Sequence, residues 1–146
     1  MFIEERSVTE RFLRYVQIET ASSRHIEETP STAGQWELAK LLTGELRALG
    51  LEPAALTGHC YVIARIPATA GKEQVPALGF LAHLDTAGDV SGGGVKPQLV
   101  ENYNGQRIEL GGGLVLDPRT DPGLAAQKGR AIIHTDGSTL LGADDK

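Results

Sequence analysis

The residues with the most chemical potential stand in two short runs. In His83-Leu84-Asp85 a histidine and a carboxylate are two positions apart, which puts both side chains on one face of an extended chain. A histidine in that setting can bind a metal through one ring nitrogen while the carboxylate accepts the other N–H, fixing the tautomer and strengthening the ligand. The same residues have plainer readings: His83 as a hydrogen-bonded core histidine, Asp85 capping a turn with Thr86, or both solvated at a strand end. In Leu141-Gly142-Ala143-Asp144-Asp145-Lys146, adjacent aspartates follow a small Gly-Ala step. A carboxylate there can approach closely and bridge two cations; it can equally serve as a helix N-cap. His25 sits in a polar loop, His59 adjoins Cys60 before an apolar strand, His134 ends a short strand and Asp89 lies in a glycine-rich loop, and each reads as structural or solvated.

These runs need elements to hold them. Ser7-Val8-Thr9-Glu10 fits a capping box, with Ser7 as N-cap, and the apolar residues after it predict a helix over 8–18. Residues 20–29 are polar and read as a loop. Pro30-Ser31-Thr32 starts a second helix, whose Leu38, Leu42, Leu46 and Leu49 recur at helical spacing until Gly50 stops it. Strands are expected at 51–56 and 61–66. Ala77-Leu78-Gly79-Phe80-Leu81-Ala82 is nearly all apolar and reads as a central strand buried on both faces. That would place His83 and Asp85 at the carboxyl end of a sheet strand, where open α/β sheets site their ligands. A glycine-rich loop follows over 88–97. Residues 98–110 read as a hairpin turning at Asn104-Gly105, which Gly111-Gly112-Gly113 breaks. Short strands at 114–116 and 131–133 flank an irregular or weakly helical stretch at 117–129, and Asp136-Gly137 makes a turn. Two helices followed by strands indicate an α/β sandwich. No Gly-x-Gly-x-x-Gly follows a strand, so a dinucleotide-binding fold is not indicated.

Composition narrows the function classes. The chain has 146 residues, of which 40% are apolar and only 5% aromatic, so a core of Leu, Ile, Val and Ala is expected. The net charge of −5, without a basic block, argues against nucleic acid or an anionic membrane as partner. Cys60 is the only cysteine, which excludes an intrachain disulfide and fits a reducing compartment. The start of the chain has no secretory pattern and no apolar run is long enough to span a bilayer, so a cytoplasmic location is expected.

Gly79-Phe80-Leu81-Ala82-His83-Leu84-Asp85-Thr86 resembles the first metal motif of the peptidase T family, the tripeptide aminopeptidases among the co-catalytic di-zinc peptidases. Val95 to Tyr103, with its Lys-Pro-Gln and Glu-Asn-Tyr, resembles the family too, as do Thr135 to Lys146 and Pro30-Ser31-Thr32-Ala33-Gly34-Gln35. The His-Leu-Asp-Thr and Gly-Ala-Asp-Asp-Lys blocks are shared widely among di-zinc peptidases and deacylases. The Lys-Pro-Gln and Glu-Asn-Tyr stretch narrows the match. The resemblance implies His83 as a ligand of one zinc, Asp85 as the catalytic-site carboxylate that orients it, and Asp144 as the bridge between two zincs, with Asp145 a neighbour only. It implies a partial three-layer sandwich with a mixed sheet, so that residues 1–146 are the N-terminal part of a zinc-peptidase catalytic domain cut short. The general base, the remaining ligands and an inserted lid or dimerisation domain would lie beyond it. The implied substrate is a short peptide, cut after its N-terminal residue by a metal-activated water, and this chain alone is expected to be inactive. Related di-zinc dipeptidases, carboxypeptidases and N-deacylases, or a non-catalytic α/β module, are the rivals. An apolar strand left without its cover would promote self-association.

Overall fold

A computed structural model describes residues 5–143 and divides the chain into two compact units, one formed by Thr20–Gly88 and the other by the residues up to Glu19 together with Asp89–Ala143. Both helices and strands are present, so the mixed α/β reading holds. Among the described residues the strands form three separate two-stranded antiparallel sheets rather than one mixed sheet. No helix among them is long and apolar enough to cross a membrane.

The Thr20–Gly88 unit is organised by helix α2, Ala33–Ala48. The helix begins three residues later than Pro30, because Thr32 is still extended at φ −142° and ψ 152°. Its buried face carries Gln35, Leu38, Ala39 and Thr43, four positions at helical spacing. The helix stops where the sequence says it should: Gly50 adopts φ +79°, its N–H donates to the Arg47 carbonyl at 2.8 Å, and Leu51 N–H reaches back to Leu46 at 3.0 Å. Glycine enters that left-handed conformation without the steric cost other residues meet.

Strands β1, Ala54–Leu56, and β2, Val62–Ala64, pair antiparallel, with Ala55 opposite Ile63, and pack on α2. They are shorter than the expected 51–56 and 61–66. The turn between them is closed by Thr57, whose N–H donates to the Tyr61 carbonyl at 2.9 Å and whose hydroxyl accepts from Tyr61 N–H at 3.1 Å. Cys60 sits in this turn at φ +64° and is buried, which pushes its thiol pKa up. Arg47 ties the helix to the sheet by donating to the Ala54 carbonyl at 2.9 Å.

The expected central strand at 77–82 is a correction. Among the described residues these have no strand partners, and Leu78, Phe80 and Leu81 are 80%, 90% and 97% exposed. A strand buried on both faces needs a neighbour on each edge and a layer above and below. Among the described residues, β1 and β2 pair with each other and no strand is offered to this segment.

In the other unit, helix α1 runs Glu5–Tyr15. Ser7 therefore lies inside the helix rather than at its N-cap, and the helix ends three residues before the expected Ile18. Positions 5 and 6 are Glu and Arg, strong helix formers that extend the helix past the capping box. Beyond Tyr15 the chain closes with shorter-span bonds, Gln17 to Arg14 and Ile18 to Tyr15, and buries Tyr15 and Val16.

The hairpin expected over 98–110 does not form. Strand β3, Gln98–Val100, pairs with β6, Ile132–His134, and β4, Ile108–Glu109, pairs with β5, Val115–Leu116. The Asn104-Gly105 turn itself is present: Asn104 accepts from Gln106 N–H at 2.9 Å, and Gly105 has φ +85°. Its two arms diverge because Tyr103 is bound elsewhere. Tyr103 is 2% exposed, its N–H donates to Arg130 at 2.8 Å, its carbonyl accepts from Gly129 at 2.7 Å, and its hydroxyl donates to the Gln106 carbonyl. The triple glycine, expected to break structure, instead turns β4 into β5, with Leu110 N–H donating to Leu114 at 2.8 Å. The weakly helical stretch contains one short turn, α3, Pro122–Ala125, capped by Asp121, which accepts from Leu124 N–H at 3.0 Å. Just before it, hydrogen bonds from Arg119 lower the Asp117 carboxyl to about 2.

Candidate metal-site motif

Asp85 and His83 are brought together as the sequence suggests. His83 Nδ1 stands 3.0 Å from Asp85 Oδ1. A carboxylate only accepts, so the shared proton belongs to Nδ1, and Nε2 is the nitrogen that a metal would take. The side chains are 64% and 42% exposed, so the pair is an open one whose attraction is weakened by solvent. It follows the unpaired 77–82 segment, not the edge of a sheet.

The backbone next to this pair is firmly held. Thr86 forms a parallel bridge with Ala21: its N–H donates to the Thr20 carbonyl at 3.2 Å, and its own carbonyl accepts from Ser22 N–H at 3.0 Å. The Ser22 hydroxyl donates to that same carbonyl at 3.2 Å. Gln35, in the first turn of α2, donates to the Thr20 carbonyl and to Ser31 Oγ, each at 3.4 Å. Ser31 Oγ also accepts from Ser23 N–H at 3.0 Å. Thr20, Gln35 and Thr86 are all buried. None of these residues stands out as chemical in the sequence. Gln35 falls in the run that resembles the family's second-helix start, whereas residues 20–29 read only as a polar loop.

Asp144 and Asp145 lie outside the described residues. Among the described ones no group of three or more His, Cys, Asp or Glu side chains is gathered closely enough to hold a metal. The other histidines behave as expected. His25 and His59 are exposed, and His134 is buried with Nδ1 donating to the Thr135 carbonyl at 2.8 Å.

A His–carboxylate pair of this geometry has the donor chemistry of a zinc ligand with its orienting partner. No family model matches the chain. Curated relatives do. A protein named peptidase T from Brevibacillus brevis is 50% identical over 141 residues, covering 95% of this chain and 34% of its own length. Peptidase T of a Geobacillus species is 49% identical over 144 residues, 97% of this chain and 35% of its own. That of Clostridium perfringens is 47% identical over 141 residues, 97% and 34% respectively. The chain thus spans about a third of the length of the curated relatives it matches. Within that span the alignment runs along nearly the whole chain at 47–50% identity, and the chain is a sequence relative of peptidase T.

Proposed function

We propose that this sequence supplies part of the active site of a zinc-dependent aminopeptidase that releases the N-terminal residue of tripeptides. The observation that supports this most is the His83–Asp85 pair at 3.0 Å, found in a chain about half identical to proteins named peptidase T. In this reading His83 and Asp144 hold zinc, two ions in the complete site, and Asp85 keeps the His83 ring in the tautomer that presents Nε2. Zinc bound there supplies Lewis-acid polarisation of a peptide carbonyl and a water acidified towards neutral pH. The protein's own part is to fix the ring, keep the proton on Nδ1 and leave the opposite nitrogen unprotonated. The finer architecture, a three-layer sandwich with a mixed sheet, and a cytoplasmic location belong to the same proposal.

The chain alone should not turn over tripeptides, since a catalytic zinc takes three protein ligands and an open position, and this reading gives zinc only His83 and Asp144 here. The test is a chimera in which this sequence replaces the matching third of the Brevibacillus brevis relative. With zinc, the chimera should cleave tripeptides in preference to N-acyl amino acids, and the 146-residue chain should cleave neither. Turnover by the chain alone overturns the division of labour; a preference for N-acyl amino acids overturns the substrate class in favour of an N-deacylase.

Self-association of the isolated chain is part of the proposal. Leu78, Phe80 and Leu81 lie almost fully in solvent, an apolar stretch of unpaired backbone of the kind that recruits another chain. Sedimentation velocity should show a weight-average mass that rises with concentration, and Phe80→Asp should suppress the rise. A strictly monomeric wild-type chain would contradict it.

A further inference from the structure

The His83–Asp85 pair follows a segment that is exposed and without strand partners among the described residues. Among the described residues, Thr86 is where the backbone of 76–88 is hydrogen-bonded to the rest of its unit. The peptide plane that carries the Thr86 N–H also carries the Asp85 carbonyl. Fixing that N–H on the Thr20 carbonyl at 3.2 Å therefore fixes that plane and, with it, the Asp85 Cα from which the carboxylate reaches out. The Thr20 carbonyl is in turn held by buried Gln35 of α2. On the far side of Thr86, the Ser22 N–H and hydroxyl converge on one carbonyl oxygen. Two residues further on, the chain passes so close to Ser22 that a Cβ on Gly88 would lie 2.4 Å from the Ser22 carbonyl oxygen, closer than real Cβ contacts come. Only a residue without a side chain lets the two backbones run together here.

We infer that Gln35, Ser22 and Gly88 are positioning residues for the metal-site motif: they clamp Thr86 between α2 and the loop after residue 20, and through Thr86 they hold the Asp85 carboxylate on His83 Nδ1. The role is indirect, since the clamp residues act through the backbone beside Asp85 and none is recorded touching the imidazole. The inference rests on the zinc reading only for its purpose; the clamp itself is a matter of hydrogen bonds and close approach. Its chemical consequence is a tautomer. A neutral imidazole in water favours the Nε2–H form. A carboxylate held on Nδ1 reverses that preference and leaves Nε2 as the lone-pair nitrogen.

The experiment is long-range nitrogen–proton NMR of the imidazoles in the uniformly nitrogen-15-labelled 146-residue chain, at a mildly alkaline pH where histidine is neutral. Wild-type His83 should be mainly Nδ1–H. Gln35→Ala, Ser22→Ala and Gly88→Ala should each shift the ratio several-fold towards Nε2–H, and Ser22→Thr, which keeps a hydroxyl, should restore it. His134 serves as an internal reference, because its Nδ1 donates to Thr135 independently of the clamp. The α2 amide signals and the Trp36 indole report that the unit is still folded, a state that a merely structural defect would not spare. An Nδ1–H preference unchanged in folded Gln35→Ala and Gly88→Ala chains overturns the inference. Adding zinc separates the two readings. If zinc leaves the His83 nitrogens unmoved in the chimera while the tautomer in the 146-residue chain still follows the clamp, the zinc reading fails and the clamp stands.

Discussion

In the chimera, His83→Ala is expected to lower kcat/KM for a tripeptide by about 10³-fold. A metal's stabilisation of transition-state charge is worth several kcal/mol, and about 4 kcal/mol corresponds to three powers of ten in rate. Asp85→Asn should cost less, on the order of 10–100-fold, because it leaves the ligand in place and removes only the group that sets its tautomer and basicity. The order of the two effects matters more than either size. If Asp85→Asn were as damaging as His83→Ala, Asp85 would itself have to touch metal or substrate. If both were harmless in a folded chimera, the 3.0 Å contact would be a surface pairing with no part in the reaction.

Leu38→Ala is expected to destabilise the Thr20–Gly88 unit by about 2–5 kcal/mol, through lost burial and the cavity left behind. Leu38 is 1% exposed, on the face of α2 that packs on β1 and β2. Whole domains are stable by only about 5–15 kcal/mol, so this single change removes a large share. Ile66→Ala, at a side chain 76% exposed, should stay within about 0.5 kcal/mol. Urea unfolding followed by Trp36 fluorescence measures both. A small effect at Leu38 would mean that α2 is not the core of its unit.

The sequence made some of this legible for identifiable reasons. Helix α2 is visible because its leucines recur at helical spacing and Gly50 ends it, both local signals that the fold respects. The turns at Asn104-Gly105 and Asp136-Gly137 are also local: each glycine has positive φ, and each Asn or Asp oxygen accepts the N–H two residues on. His83 and Asp85 meet across a bend at Leu84, a contact between residues two apart that needs no sheet around it.

Pairing was not legible, because it depends on partners far along the chain. The run 98–110 has the alternation and the turn of a hairpin, yet β3 finds β6 and β4 finds β5. The segment 77–82 has the composition of a buried strand, but composition cannot supply the neighbours that burial needs. The clamp on Thr86 was hidden for the same reason. Ser22 and Thr86 are 64 positions apart, and their contact is mostly backbone, on which residue type leaves little trace. Gly88 was the one hint: a glycine in a flexible-looking run, whose requirement shows only when Ser22 is seen against it.

The central claim is that His83 is a zinc ligand. It is tested most directly by metal analysis of the chimera, stripped and reloaded with zinc, beside its His83→Ala variant. The account predicts two zinc ions per chain in the first and the loss of at least one in the second, with the fold unchanged by circular dichroism. Equal zinc content and equal affinity in the two proteins would contradict it.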